Sequence, residues 1–140
     1  MVDSRILDPA REPKRLLSID GGGIRGVIAA EILVRLEALL KQNGIGGPLG
    51  RHFHLIGGTS VGAILAAGLS MGMTAVELRD FFVNRGKSIF KRSCWFRRPW
   101  HLYDRRPLAA ELQTVFGKRT LGDDQACSLL MIVCQNATRG

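Results

Sequence analysis

The sequence predicts an α/β fold: a mainly parallel sheet with helices on both faces, a three-layer α/β/α arrangement. Three observations predict it. Short apolar runs at residues 15–19, 53–57 and 128–134 alternate with longer segments of helical periodicity. The first two runs each end in a glycine-rich turn that leads into a helical segment. Parallel strands joined by right-handed crossovers place such turns at one end of the sheet, and sites form at the carboxyl ends of strands. The two turns therefore converge on one crevice.

Residues 1–13 read as a flexible leader, because Pro9 and Pro13 break any helix, and residues 14–140 read as one domain portion. After the first strand, residues 24–42 place Ile24, Val27, Ile28, Ile32 or Leu33, Leu36, Leu39 and Leu40 on one broad helical face. Asn43-Gly44 is a helix stop, and a turn-rich connection follows to residue 50. Residues 61–71 form a helix of small residues, so a neighbour packs close to it. Thr74-x-x-Glu77 is a capping-box signature for a third helix, whose apolar face carries Val76, Phe81, Phe82 and Ile89. Periodicity is lost from residue 91 to 107. Pro107 then opens a short helix with Leu108, Leu112, Val115 and Phe116. The last strand is apolar throughout and is expected to be central.

Composition narrows the class. The chain has 140 residues and a net charge of +8, with the apolar content of an ordinary globular domain. The excess charge is concentrated in Arg85, Lys87, Lys91, Arg92, Arg97, Arg98, Arg105 and Arg106, opposed there only by Asp104. Cys94, Cys127 and Cys134 are odd in number and lack metal-ligand spacing, which argues for a reducing compartment and against a disulfide framework. No signal peptide and no bilayer-spanning run is visible. These features predict a cytoplasmic protein, with any membrane attachment peripheral, and no metal or organic cofactor.

Two glycine clusters carry the chemistry. In Gly58-Thr59-Ser60-Val61-Gly62 a sharp strand-to-helix turn would lift the Ser60 hydroxyl out of the fold, with glycines on both sides keeping side chains away. The helix that follows points its positive end at the same spot. The plain alternative is a serine that only caps that helix. Gly21-Gly22-Gly23-Ile24-Arg25-Gly26 matches the dinucleotide pattern G-x-G-x-x-G. A ribose-binding acid is missing at the end of the second strand, where Ile56-Gly57-Gly58 stands, and that reading leaves Ser60 unexplained. The better reading is a set of backbone N–H groups that hold an oxyanion formed when Ser60 attacks a carbonyl. The bland one is that the glycines only let helix pack closely on strand.

Asp20-Gly21-Gly22-Gly23-Ile24-Arg25-Gly26 followed by Gly58-Thr59-Ser60-Val61-Gly62 resembles the N-terminal part of the catalytic domain of a patatin-like phospholipase. The resemblance runs over most of the chain from residue 14. It implies a patatin-like fold and a serine lipid acyl hydrolase, of phospholipase A or esterase type, that uses a Ser–Asp dyad. It implies Ser60 as nucleophile; Gly58, Thr59, Val61 and Gly62 as its elbow; and Gly21, Gly22, Gly23, Arg25 and Gly26 as the oxyanion loop. His54 stands where the family often has an acidic residue, and reads as structural. The family's downstream Asp-Gly motif is absent after Ser60: Asp123-Asp124 lacks the glycine, and Asp80 and Asp104 lie in a helix and a basic loop. A Ser60, Asp80, His101 triad is disfavoured by its short spacings. The expectation is a catalytic domain truncated after its third strand, with the Asp partner outside the chain. The alternative is an inactive fragment that binds lipid or protein.

The basic stretch from Lys91 to Arg106 interleaves its cations with Trp95, Phe96, Trp100 and Tyr103. Such a mixture suits an anionic membrane interface. Stacking on single-stranded nucleic acid is the rival reading, and nucleic acid is not expected here. The bland reading is a solvated loop whose rings pack on the core. A sheet stopped after three strands would leave an open edge and uncovered apolar faces, which favours self-association.

Overall fold

A computed structural model describes residues 13–23, 26–89, 105–121, 123 and 125–135. Three parallel strands, β1 (Leu16–Ile19), β2 (Leu55–Thr59) and β3 (Leu129–Val133), lie in the order β1-β2-β3. Leu17 pairs with Ile56 and Ile19 with Gly58; Ile56 pairs with Leu130 and Gly58 with Ile132. The α/β class with a parallel sheet holds. The expected central place of the third strand does not, because β2 is central and β3 pairs on one side only among the described residues. Met131, Ile132 and Val133 are accordingly half-exposed. An all-apolar run marks a strand with apolar neighbours, not its place in the order.

The second strand also runs later than the expected 53–57. Phe53 closes a short 3₁₀ turn (Leu49–His52), donating its N–H to the Gly50 carbonyl, and β2 continues through Gly57 and Gly58 to Thr59. Glycine weakens the sequence signal of a strand, but its N–H and C=O join the ladder like any other residue's. His54 has the structural role its position suggested. Its Nδ1 accepts the Arg15 N–H at 3.0 Å, and its backbone bonds both flanking strands.

Four helices complete the described chain: α1 (Gly26–Gln42), α2 (Val61–Ser70), α3 (Ala75–Ile89) and α4 (Arg105–Phe116). Strands placed in sequential order and joined by right-handed crossovers carry their connections on one face of the sheet. The packing agrees. Leu17, Ile19, Ile56 and Leu130 of one sheet face join the core with Leu33, Val61, Leu65, Leu69, Leu78 and Phe82. On the opposite face Leu16 is 66% exposed and Val133 52%, so the described residues supply the sheet and one helical layer.

α2 lies against all three strands and is buried on nearly every side. Its small residues allow this: a methyl group at Gly68 would collide with Leu78 of α3. α1 packs mainly on α3 rather than flat on the sheet. Its buried stripe is therefore Gly26, Ala30 and Leu33: of the expected Ile32 or Leu33 it is Leu33 that lies inside, whereas Ile28, expected inside, is 64% exposed. The expected Val76 is likewise outside. α3 buries Ala75, Leu78 and Phe82, with Phe81 edge-on to Phe82 at 5.2 Å. α1 ends as foreseen at Gly44, in left-handed conformation, with Ile45 N–H on the Leu40 carbonyl and Gly44 N–H on the Lys41 carbonyl. α4 starts at Arg105, two residues before the expected Pro107, which a first helical turn accommodates.

The Thr74–Glu77 capping box is formed. Thr74 N–H donates to Glu77 Oε2 at 2.8 Å, and Glu77 N–H donates to Thr74 Oγ1 at 3.2 Å. A carboxylate on α1 reinforces this end: Glu37 accepts N–H groups from Ala75 at 3.0 Å and from Leu49 at 3.3 Å. Removing the cap with Thr74→Ala should cost about 1 kcal/mol in denaturant unfolding. The Thr74 hydrogen bonds hold the Glu77 carboxyl below its ordinary value. Its stabilising contribution is thus complete above the ordinary carboxylate range and is lost as pH falls through the lower folded value. Thr74→Ala keeps the N–H bond to Glu77 and removes the hydroxyl's, so the part of its deficit due to that hydroxyl should shrink in the acid window, and a deficit constant from neutral to acid pH would contradict the hydroxyl's share of the linkage.

Candidate active site

Ser60 joins β2 to α2 with φ 51° and ψ −123°, and among the described residues it is the one non-glycine with positive φ. Such a conformation costs roughly 1–3 kcal/mol and persists only where its surroundings force it. The surroundings here are backbone packed on backbone. A methyl group at Gly58 would overlap the carbonyl of Gly62, one at Gly62 would overlap the carbonyl oxygen of Ile19, and one at Gly26 would overlap Val61. Glycine on both sides of the serine is therefore a packing requirement, and it brings the start of α2 onto the carboxyl end of β1.

The capping alternative is not realised. The Ser60 side chain makes no hydrogen bond to the helix N-terminus, although its carbonyl accepts the N–H groups of Ala63 at 3.0 Å and Ile64 at 3.4 Å. The exposed hydroxyl is carried at the positive end of a buried ten-residue helix.

The glycine turn after β1 lies directly against this residue. Gly21 N–H donates to Thr59 Oγ1 at 3.0 Å, and a Cβ on Gly21 would stand 2.9 Å from the Ser60 Cβ. Neither the Gly22 nor the Gly23 N–H has an acceptor among the described residues, and Gly23 is in the left-handed region at φ 56°. The structure thus brings Gly21, Gly58, Thr59, Ser60, Val61 and Gly62 together. Gly26 is buried at the start of α1, and Arg25 lies outside the described residues. The N–H groups that remain can receive an oxyanion on a carbonyl attacked by Ser60.

Among the described residues no carboxylate or imidazole bonds the Ser60 hydroxyl. Asp80 is paired with its neighbour, Arg79 Nη2 to Oδ1 at 2.8 Å. His101 and Asp104 lie outside the described residues, as does the basic stretch apart from Arg105 and Arg106, which open α4. No group of three or more His, Cys, Asp or Glu able to hold a metal is present among the described residues. None of their helices is long and apolar enough to cross a membrane.

Two features escaped the sequence. One is the Thr59 hydroxyl's bond to the glycine turn; the only available signal was a hydroxyl next to the serine. The other is an apolar cavity of about 450 Å³ between α2, α4 and β3, lined by Ala63, Ala67, Leu112, Phe116, Leu130 and Ile132. Ala63 lies one turn beyond Ser60, and Ile132 pairs with Gly58, so one end of the cavity is level with the serine. No local pattern joins residues that far apart in the chain.

Residues 17–129 match the patatin-like phospholipase family. A cGAMP-activated phospholipase of Vibrio cholerae is 36% identical over 130 residues, which cover 84% of this chain and 37% of the relative. One of the same description from Escherichia coli is 34% identical over 123 residues, covering 79% and 33%. Patatin-17 of Solanum cardiophyllum is 38% identical over 112 residues, covering 74% and 28%. The chain spans about a third of the length of these curated relatives.

If the backbone at Ser60 is strained, Ser60→Gly should stabilise the chain, by roughly 1 kcal/mol after allowing for glycine's entropy. Ser60→Ala should bring no such gain. Equal denaturant midpoints for the two variants would contradict the strain.

Proposed function

Because the chain belongs to the patatin-like phospholipase family, we propose that it carries the nucleophile-bearing part of a serine lipid acyl hydrolase. The observation that carries this reading is the positive-φ backbone of Ser60 at a strand-to-helix junction, with its hydroxyl exposed and unused for capping. Strained backbone of this kind clusters at active sites.

In this reading Ser60 Oγ attacks the carbonyl carbon of an acyl ester. A carboxylate from outside these 140 residues takes the hydroxyl proton, since an unassisted serine is a weak nucleophile. The tetrahedral oxyanion sits against the Gly22 and Gly23 N–H groups at the positive end of α2, while Arg25 and Gly26 shape the turn. One such donor is worth about 2.7–4 kcal/mol of barrier. Collapse expels the alcohol, which takes the proton from the base, and leaves an acyl group on Ser60. Water activated by the same base then releases the fatty acid. The cavity beside α2 has the size and lining for the acyl chain. Gly21 to Gly26 serve as an oxyanion loop rather than a dinucleotide turn, because the turn is folded onto Ser60.

A fluorophosphonate probe tests the site directly. In protein that includes the partner carboxylate, labelling should fall on Ser60, vanish in Ser60→Ala and survive in Asp80→Ala, whose carboxylate is engaged by Arg79. Absence of labelling in that protein, shown to be folded, would favour the second reading, a lipid- or protein-binding module. That reading draws its support from the lack of a carboxylate or imidazole on the Ser60 hydroxyl among the described residues.

The stretch from Lys91 to Arg106 is the proposed contact with anionic membrane, at about 1 kcal/mol for each basic residue near the surface. Sedimentation should show binding to anionic vesicles that weakens with salt. Equal binding to neutral vesicles would remove the electrostatic contact.

A further inference from the structure

Gly21, Gly22 and Gly23, the described part of the turn over Ser60, have no side chains with which to hold a position. Gly21 and Gly22 are exposed, and Gly23 is free to rotate into the left-handed region it occupies. Thr59 differs in kind. It is the last residue of β2, paired in the ladder with Val133, so its side chain is carried on a rigid element. Its Oγ1 accepts the Gly21 N–H at 3.0 Å, the one side-chain hydrogen bond recorded between the described residues of the turn and the elbow. We propose that Thr59 is the positioning residue of this site: its hydroxyl locks the glycine turn over Ser60 and leaves the Gly22 and Gly23 N–H groups to receive the oxyanion. The inference rests on the reading of Ser60 as the nucleophile.

Two consequences separate this from a general role for the turn. First, the Gly21 N–H is already engaged and is not an oxyanion donor; Gly21 contributes by closeness instead. Its missing Cβ would lie 2.9 Å from the Ser60 Cβ, 2.9 Å from the Thr59 carbonyl oxygen and 3.1 Å from the Thr59 hydroxyl. Only glycine allows the turn to sit that low. Second, the requirement at position 59 is for an acceptor oxygen, not for bulk. Valine keeps the shape and the strand preference of threonine but cannot accept, whereas serine accepts without the methyl group. Oxyanion donors act through fixed placement, so a turn released by a fraction of an ångström loses most of their effect.

The test compares the parent with Thr59→Val and Thr59→Ser, each in protein that includes the partner carboxylate, by two measurements. Amide hydrogen exchange at Gly21, followed by NMR, reports the lock itself. The rate of fluorophosphonate labelling at Ser60 reports its effect on the site. Thr59→Val should exchange faster at Gly21 and label more slowly by about 10- to 100-fold, and Thr59→Ser should restore both to near the parent values. Unchanged Gly21 exchange in Thr59→Val overturns the proposal. So does unchanged labelling despite faster exchange, or a serine variant that behaves like valine. If the parent protein with its partner carboxylate is not labelled at all, the nucleophile reading fails and the positioning role falls with it. Gly21 exchange would still show whether Thr59 holds the turn.

Discussion

The structure depends on one close approach, the start of α2 against the carboxyl end of β1 and β2. Gly58 touches Gly62, Gly62 touches the Ile19 carbonyl, and Gly26 touches Val61, with no side chain between the backbones in the first two contacts. A chain forced through that gap has few conformations available, and Ser60 takes one that residues with a Cβ rarely adopt. The strain is local, and the contacts that impose it come from four elements, β1, β2, α1 and α2.

The same helix organises the core. α2 is built of small and apolar residues because it has neighbours on nearly all sides: the sheet below it, Leu78 of α3 at Gly68, and α4 across the cavity. Both ends of α2 are fixed. At the far end Gly72 takes the left-handed conformation, and Ser70 Oγ donates to the Ser128 carbonyl at 2.9 Å, tying the helix to the entrance of β3. A helix so held delivers its N-terminus, and with it the serine, to a fixed place.

Electrostatically, the site joins three sources of positive potential without a charged side chain among the described residues: the α2 N-terminus and the Gly22 and Gly23 N–H groups. Such groups are fixed dipoles, and their alignment is set by the backbone. This makes the glycine turn the part most dependent on its neighbours. The Thr59 hydroxyl supplies a connection that glycine itself cannot.

Much of this was legible beforehand, and the reasons are local. The parallel α/β class followed from alternating periodicities, and the capping box at Thr74 and Glu77 and the stop at Gly44 follow from short-range chemistry that a few residues contain. The two glycine motifs named Ser60 because a tight strand-to-helix turn has few solutions. Other properties belong to pairs of elements far apart in the chain. Ile28 and Val76 satisfy a helical stripe, yet lie outside because α1 meets α3, so that contact sets which stripe is buried and chooses Leu33 over Ile32. β3 is as apolar as a central strand, but strand order is a matter of pairing, and β2 holds the middle. The Thr59–Gly21 bond and the cavity between α2, α4 and β3 exist only when these segments are brought together, so only the tertiary structure could decide them.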